Sequence, residues 1–341
     1  MSSSPDKLTP PPPARAWLRL TTALGLLGVV LAAGWIVGFA GMMIQAAETV
    51  DRNFREGSGR PADYREGALF IEQDSYLWLG YAIDHQAAGT WRMPRWTQRD
   101  NPPAGRPVHW ASPYLWLLRG AGAGVAAVGD LSPTRALEVG SQGIGPGLHL
   151  LVVLVGATLL GRRFGWLAGG GFALAMAFQL QSMWDYHALR PDHQALYLAA
   201  AVLSVVLLLA GGLGTCPTTG ESPAAMHRRR SWFVAAAVVA ALGVWVSAIA
   251  SVTLNLLVIG AVGLITLRPR GPGTAADHDP QVWRWWGWSG ALACLAAWLI
   301  EYAPALPLQR LEVNHPIYAL QWLAGGELLR LWTRWRCLNT P

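Results

Sequence analysis

Long apolar blocks separated by charged stretches dominate this chain, and each block is near the ~20 residues that cross a bilayer as a helix. The first covers residues 17–44 and follows Arg15 and Arg19. Basic flanks stay on the cytoplasmic side, so this span leads outward. Further blocks lie at 143–160, 164–183 and 194–213. Residues 232–267 form a run of 36 without a charge, bounded by Arg228-Arg229-Arg230 and by Arg268 and Arg270. That run is too long for one helix and basic at both ends. It predicts two spans in a hairpin that turns outside near 247–253. A seventh span at 285–302 leads outward again.

Residues 113–128 are short for a span, thick with Gly and Ala, and contain Arg119. They predict an interfacial or re-entrant helix. A crossing there would invert every later span and place Arg228-Arg229-Arg230 outside, against the positive-inside rule.

Composition agrees. Hydrophobic residues make up 52% of the 341 and charged residues 13%, against about 25% charged in soluble domains. Short alternating segments of the kind a barrel needs are absent. The expected fold is an all-α polytopic membrane protein. Residues 1–16, with their proline run, read as a disordered cytoplasmic tail. Residues 17–302 form a transmembrane domain of about seven spans with a long external loop, 45–142. Residues 303–341 read as an external interfacial tail, because Glu312, His315, Glu327 and Arg330 interrupt its apolar residues. Ending there points to a longer protein or a degenerate one. A cleaved signal peptide at Ala46-Ala47 is the rival for the first span, but its apolar stretch exceeds the usual ~7–15 residues. The net charge of +6 sits largely at span ends and reports topology, so no nucleic-acid partner is expected. Cys216, Cys294 and Cys337 show no metal spacing.

The candidate chemistry lies in two acidic motifs that this topology places on one non-cytoplasmic face. Glu72-Gln73-Asp74-Ser75-Tyr76 follows the first span, and Asp185-Tyr186-His187 through Arg190-Pro191-Asp192-His193 follows the third. Carboxylates at a bilayer surface are costly unless they bind something or react. Asp74 and Asp192 are the candidate catalytic carboxylates. With His193 they are also candidate ligands for a divalent cation, Mg or Mn, which takes one or two carboxylates plus substrate phosphate. The plain alternatives are a solvated loop carboxylate for Asp74 and a helix N-cap for Asp192. Arg92, Arg106, His109, Trp110 and Arg190 are candidate donor-binding residues, because arginine forks suit phosphate oxygens and aromatic faces stack on a ligand.

Asp74-Ser75-Tyr76 after the first span, a Pro/Gly-rich loop at 99–110, and Asp192-His193-Gln194 at the head of the fourth span together resemble the catalytic subunits of oligosaccharyltransferases. These belong to the GT-C membrane glycosyltransferases. The resemblance covers roughly residues 17–267. It implies a GT-C-like helical bundle, a polyprenyl-phosphate- or polyprenyl-diphosphate-linked sugar donor, a divalent metal, and transfer on the external or periplasmic side of the cytoplasmic membrane if the source is bacterial. The acceptor is not specified. The family's Trp-Trp-Asp peptide-binding motif has no counterpart, since Trp285-Trp286 is followed by Gly287. Its late acidic ligand has only Glu312 and Glu327 as candidates. A catalytically inactive scaffold and a lipid-linked-sugar transporter stay open as alternatives. Against the transporter, the spans lack ionisable residues at their centres.

Overall fold

The computed structural model describes residues 12–58, 69–99, 102–213, 222–267, 279–303, 311 and 313–338. Among them are eleven helices and one small antiparallel ribbon. The helices are α1 (Pro12–Ser58), α2 (Gln73–Ala88), α3 (Ser112–Val128), α4 (Pro133–Phe164), α5 (Trp166–Phe178), α6 (Leu180–Asp185), α7 (Gln194–Ala210), α8 (Pro223–Val246), α9 (Ala248–Leu267), α10 (Gln281–Tyr302) and α11 (Pro316–Leu338). The ribbon pairs β1 (Trp96–Thr97) with β2 (Arg106–Pro107). Three helices, α1, α4 and α8, are long and apolar enough to cross a membrane, and α5, α7 and α9 are shorter apolar helices. The chain is an all-α integral membrane protein. Most of the expected tail, residues 1–11, lies outside the described residues, and α1 begins at Pro12.

Helices in lipid gain little from hydrophobic exclusion, so they associate through close packing of small residues. Two glycines show this. A Cβ on Gly25 of α1 would sit 2.0 Å from the Trp166 carbonyl oxygen, and one on Gly170 of α5 would sit 2.4 Å from that of Gly25. Farther along the same pair of helices Trp35 packs on Phe178, with ring centroids 5.2 Å apart. α1 and α5 therefore run parallel. α4 turns back through Gly165, at a φ of 95°, into α5.

The bundle has a basic and an acidic end. Arg162, Arg163 and Arg230 stand with Arg284 at helix ends on one side. The opposite ends carry the two acidic motifs and Glu301. α4 has 32 residues, about 48 Å at 1.5 Å each, well beyond a ~30 Å hydrocarbon core. Its first half pairs with α3, Gly122 against Leu137 and Gly140 against Ala121, in a helical hairpin. Its second half joins the bundle beyond Gly145, which abuts the backbone of Tyr186. α3 thus packs antiparallel on the first half of α4. The uncharged run breaks at Ser247 between α8 and α9, inside the expected turn.

The last helix, expected as an interfacial tail, packs on the bundle. α11 lies antiparallel along α10. A Cβ on Gly326 would be 2.7 Å from the Gly287 Cα, and Gly290 abuts the Trp322 ring. The charges that suggested an interface are matched inside this pair. Glu327 accepts from Arg330 at 2.5 Å and meets Arg284 at 3.3 Å. Trp322 is buried against Trp286, with centroids 4.4 Å apart. Glu312 lies outside the described residues.

A side chain at Gly287 has no room, since its Cβ would lie 2.9 Å from the Trp322 carbonyl oxygen and 3.0 Å from the Gly326 Cα. Gly287→Leu is expected to destabilise by at least ~1–3 kcal/mol through overpacking. Gly260→Leu, at a position with nothing within 4 Å, should leave stability nearly unchanged. Thermal unfolding of both variants in detergent checks the contrast.

Candidate functional site

The two acidic motifs meet at one backbone hydrogen bond. The Ile71 N–H, just ahead of α2, donates to the Leu189 carbonyl at 3.0 Å. Phe70 is fixed beside it, its N–H donating to the Tyr76 hydroxyl at 2.9 Å. This pin sets Glu72 and Asp74, at the start of α2, against the loop that carries Asp185, Arg190 and Asp192. Asp192 is wholly buried and is not the cap of α7. His193 holds that position and makes no side-chain cap bond, so the N-cap alternative for Asp192 does not apply.

Arg190 sits at the centre. Its guanidinium is 3% exposed. It donates to Glu72, to Asp185 Oδ1 at 3.0 Å and to Gln194 Oε1 at 2.8 Å. Asp192 Oδ2 is 3.6 Å from its Nη2, beyond hydrogen-bond reach. Expected as a donor-binding residue, Arg190 is instead committed to the protein's own acids. Asp185 and Gln194, which the sequence places in the second motif, complete the network.

One guanidinium does not neutralise this many carboxylates. Burial, then the charges of Asp192 and Glu72, push the Asp74 pKa up, while His193 and Arg190 pull it down less strongly. Burial also works against a charged Asp192. The hydrogen bond from His193 Nδ1 to Oδ1 at 2.5 Å, with the His193 and Arg190 charges, outweighs burial and holds that pKa below the usual range. The two candidate carboxylates are therefore pushed apart: Asp192 is held ionised and Asp74 takes a proton more readily. Environments that split a carboxylate pair in this way suit acid–base work.

Asp192 Oδ2 is buried with no hydrogen-bond partner. Together with the under-compensated Asp74, it fits a hard cation that takes carboxylate oxygens. Among the described residues no three His, Cys, Asp or Glu side chains are grouped to hold a metal alone. A cation there would need oxygens from water or substrate, as Mg²⁺ usually does. His193, expected as a ligand, has its Nδ1 engaged by Asp192 and only Nε2 left for that role.

Aromatic rings wall the cluster. Trp110 packs on His193 at 4.5 Å between centroids and on His109 at 4.2 Å, and Trp78 lies 5.3 Å from His193 and 5.0 Å from Tyr114. His109 and Trp110 thus belong to the site's wall. The buried Tyr114 hydroxyl and Ser75 Oγ have no hydrogen-bond partner, and the Asp192 charge raises the Tyr114 pKa further after burial has done so. Ser75 belongs to the Asp74-Ser75-Tyr76 motif, whereas Tyr114 does not stand out in the sequence, because a tyrosine in an apolar segment looks like ordinary packing. The other two expected donor residues lie between α2 and α3. Arg92 lies 4.4 Å over the Trp91 ring and donates to the Ala303 carbonyl at the end of α10. Arg106 is exposed on β2.

Glu301, fully buried at the acidic end of α10, clamps the long loop to the bundle. Its carboxylate accepts from the Ser112 N–H at 3.0 Å, Ser112 Oγ at 2.8 Å, Trp245 Nε1 at 3.0 Å and Arg95 Nη2 at 2.9 Å. The sequence places it at the end of the seventh span without marking it, since its partners come from three distant segments.

No protein-family model matches the sequence, and no curated protein matches it. Its architecture is that of known structures. The Archaeoglobus fulgidus oligosaccharyltransferase, solved in complex with Zn and sulfate, superposes with a TM-score of 0.65 at 15% identity, covering 90% of this chain and 35% of that one. Oligosaccharyltransferase AglB from the same archaeon, in complex with an inhibitory peptide and a dolichol-phosphate, gives 0.65 at 15% identity, covering 92% and 34%. The same enzyme tethered to an acceptor peptide containing the NVT sequon gives 0.62 at 14% identity. The chain spans about a third of these proteins' length and has an oligosaccharyltransferase-like, GT-C-type membrane fold.

Two substitutions test the electrostatic frame. Arg190→Met leaves buried acids without their cation and is expected to cost roughly 3–5 kcal/mol, read as a lower melting temperature in detergent. Glu301→Gln keeps shape but turns amide hydrogens toward donors. A loss of about 1.5–3 kcal/mol is expected, the scale of a hydrogen bond to a charged group. Proteolysis should then cut the 89–111 loop sooner than in the wild type.

Proposed function

We propose that the protein is a membrane glycosyltransferase that moves a sugar from a polyprenyl-phosphate- or polyprenyl-diphosphate-linked donor to an acceptor on the non-cytoplasmic side. The carrying observation is the hydrogen bond from Ile71 to Leu189, which brings the two acidic motifs together. The fold shared with oligosaccharyltransferases, one described with a dolichol-phosphate, supports a lipid-borne donor.

In this reading Asp74 is the base. It would take a proton from the acceptor's hydroxyl or amide as that atom attacks the anomeric carbon. The bond from that carbon to the phosphate oxygen breaks, and the polyprenyl phosphate leaves with the electron pair. Asp192, kept ionised by His193 and Arg190, holds negative charge opposite the oxocarbenium-like sugar. Asp74 and Asp192 Oδ2 would hold a divalent cation, Mg or Mn, whose chemistry is to neutralise the leaving phosphate. Trp110, His109 and Trp78 wall the sugar from water. Arg106, exposed beside this wall's loop, and Arg92 are proposed to meet the donor's phosphates as it approaches. Arg190 acts as a positioning residue through Glu72, Asp185 and Gln194.

Transfer from polyprenyl-linked sugars in proteoliposomes is the test. Asp74→Asn is expected to lower turnover by ~10²–10⁴-fold, the range of a lost general base, with thermal stability unchanged or raised because it removes a charge from an acidic cluster. Chelation should lower the wild-type rate, and Mg²⁺ or Mn²⁺ should restore it. Full activity in Asp74→Asn would remove the proposed base. Absence of transfer by the wild type from every donor would favour an inactive scaffold.

A further inference from the structure

The basic end carries a second feature unrelated to the acidic cluster. Between α8 and α10 runs an open groove of about 520 Å³. Its chemistry changes along its length. His227, Arg230 and Ser231 line the end nearest the helix start, and Val234, Val238 and Trp285 line the rest. From residue 227 to residue 238 the helix rises roughly 16 Å at 1.5 Å per residue. That matches one leaflet of a bilayer, half of the ~30 Å hydrocarbon core.

The groove faces outward. Val238 is 45% exposed and Trp285 50% exposed. Beneath that surface Arg230 is only partly committed. Its Nη2 donates to Asp279 Oδ2 at 3.1 Å and contacts the Met226 sulfur at 3.4 Å. Its Nε is buried without a partner. His227 and Arg228 are exposed beside it. A cationic mouth over an apolar trough, with a tryptophan at the rim, has the polarity profile of a lipid rather than of a peptide or a soluble anion. A peptide would find no unpaired backbone here, and a free anion would not use the trough.

We infer that this groove binds one anionic phospholipid, its phosphate at His227 and Arg230 and an acyl chain along Val234, Val238 and Trp285. Basic pockets between spans recognise lipid head groups in this way, and each nearby basic side chain contributes on the order of 1 kcal/mol, about five-fold in occupancy. The site bridges α8 and α10, the helices whose opposite ends meet at Trp245 and Glu301. The lipid would therefore brace the pair that holds the external loop. The inference is independent of sugar transfer.

Native mass spectrometry of the full chain, from micelles holding equal phosphatidylglycerol and phosphatidylcholine, tests it. The wild type should retain phosphatidylglycerol in preference to phosphatidylcholine. His227→Ala, at an exposed position that core packing does not use, should reduce that retention, and adding Arg230→Gln should reduce it by a further factor of about five. Arg163→Ala, at the same end but on α4, should leave it unchanged. Phosphatidylglycerol should raise the melting temperature of the wild type and not of the double variant. Equal retention of the two lipids, unchanged retention in His227→Ala, or an equal loss in Arg163→Ala would overturn the assignment.

Discussion

Bringing carboxylates together at a bilayer surface costs free energy twice, through lost hydration and through mutual repulsion. The structure meets both costs with a single guanidinium. Arg190 reaches Glu72 from the first external motif and Asp185 and Gln194 from the second. An ammonium could not do this, since only the planar fork offers five donors in fixed directions. The compensation is incomplete, and that is where chemistry becomes available. Asp192 is held ionised by its neighbours while one of its oxygens stays unpartnered, and Asp74 is left with a raised pKa. A fully neutralised cluster would be a structural salt bridge with nothing left to react.

The same economy of charge recurs at Glu301. It takes donors from the loop at Arg95, from the head of α3 at Ser112, and from α8 at Trp245. Cutting any of these would free only one strut, because the carboxylate remains bonded to the others. The acidic end is thus organised by two buried anions of opposite use. Glu301 is saturated and holds the loop, while Asp192 is unsaturated and faces the site. Burial alone does not separate them, since both are fully buried. The difference is the number of donors each receives.

Much of the fold is legible in the sequence because lipid imposes a coarse rule, about 20 apolar residues per crossing with basic flanks on one side. The break at Ser247 follows from that rule and from the basic flank at Arg228. α11 does not follow from it. Hydropathy reads Glu327 and Arg330 as exposed, but the pairing of Glu327 with Arg284 depends on a helix forty residues away, and the glycines that let the helices touch carry no hydropathy signal. The candidate site divides the same way. Asp74, Asp192 and His193 are visible as charged groups at span ends. Arg190 is visible as a charge, but its role depends on which partner arrives first. With Glu72 and Asp185 at hydrogen-bond distance, a guanidinium binds the protein before it binds phosphate. Ser75, Tyr114 and Glu301 gain meaning only from which neighbours they lack or collect.

Fold likeness at 15% identity carries the scaffold but not the chemistry, and the residues decide between the readings that remain. A transporter needs polar groups or broken helices at mid-bilayer, whereas here the charged cluster lies at the mouths of α2 and α7. An inactive scaffold gains nothing from an unpartnered buried carboxylate oxygen. Selection for stability alone would pair Asp192 Oδ2 or replace it, since an unsatisfied buried acceptor costs roughly 1–3 kcal/mol or more. That oxygen, with the unpartnered hydroxyls of Tyr114 and Ser75, supports the proposed site for an incoming partner. The aromatic wall of Trp78 and Trp110 gives that partner a face to stack on. In the proposed reading the ring of a sugar carried on an anionic lipid would meet the aromatics, and its phosphate oxygens would supply the ligands that a cation at Asp74 and Asp192 would still need.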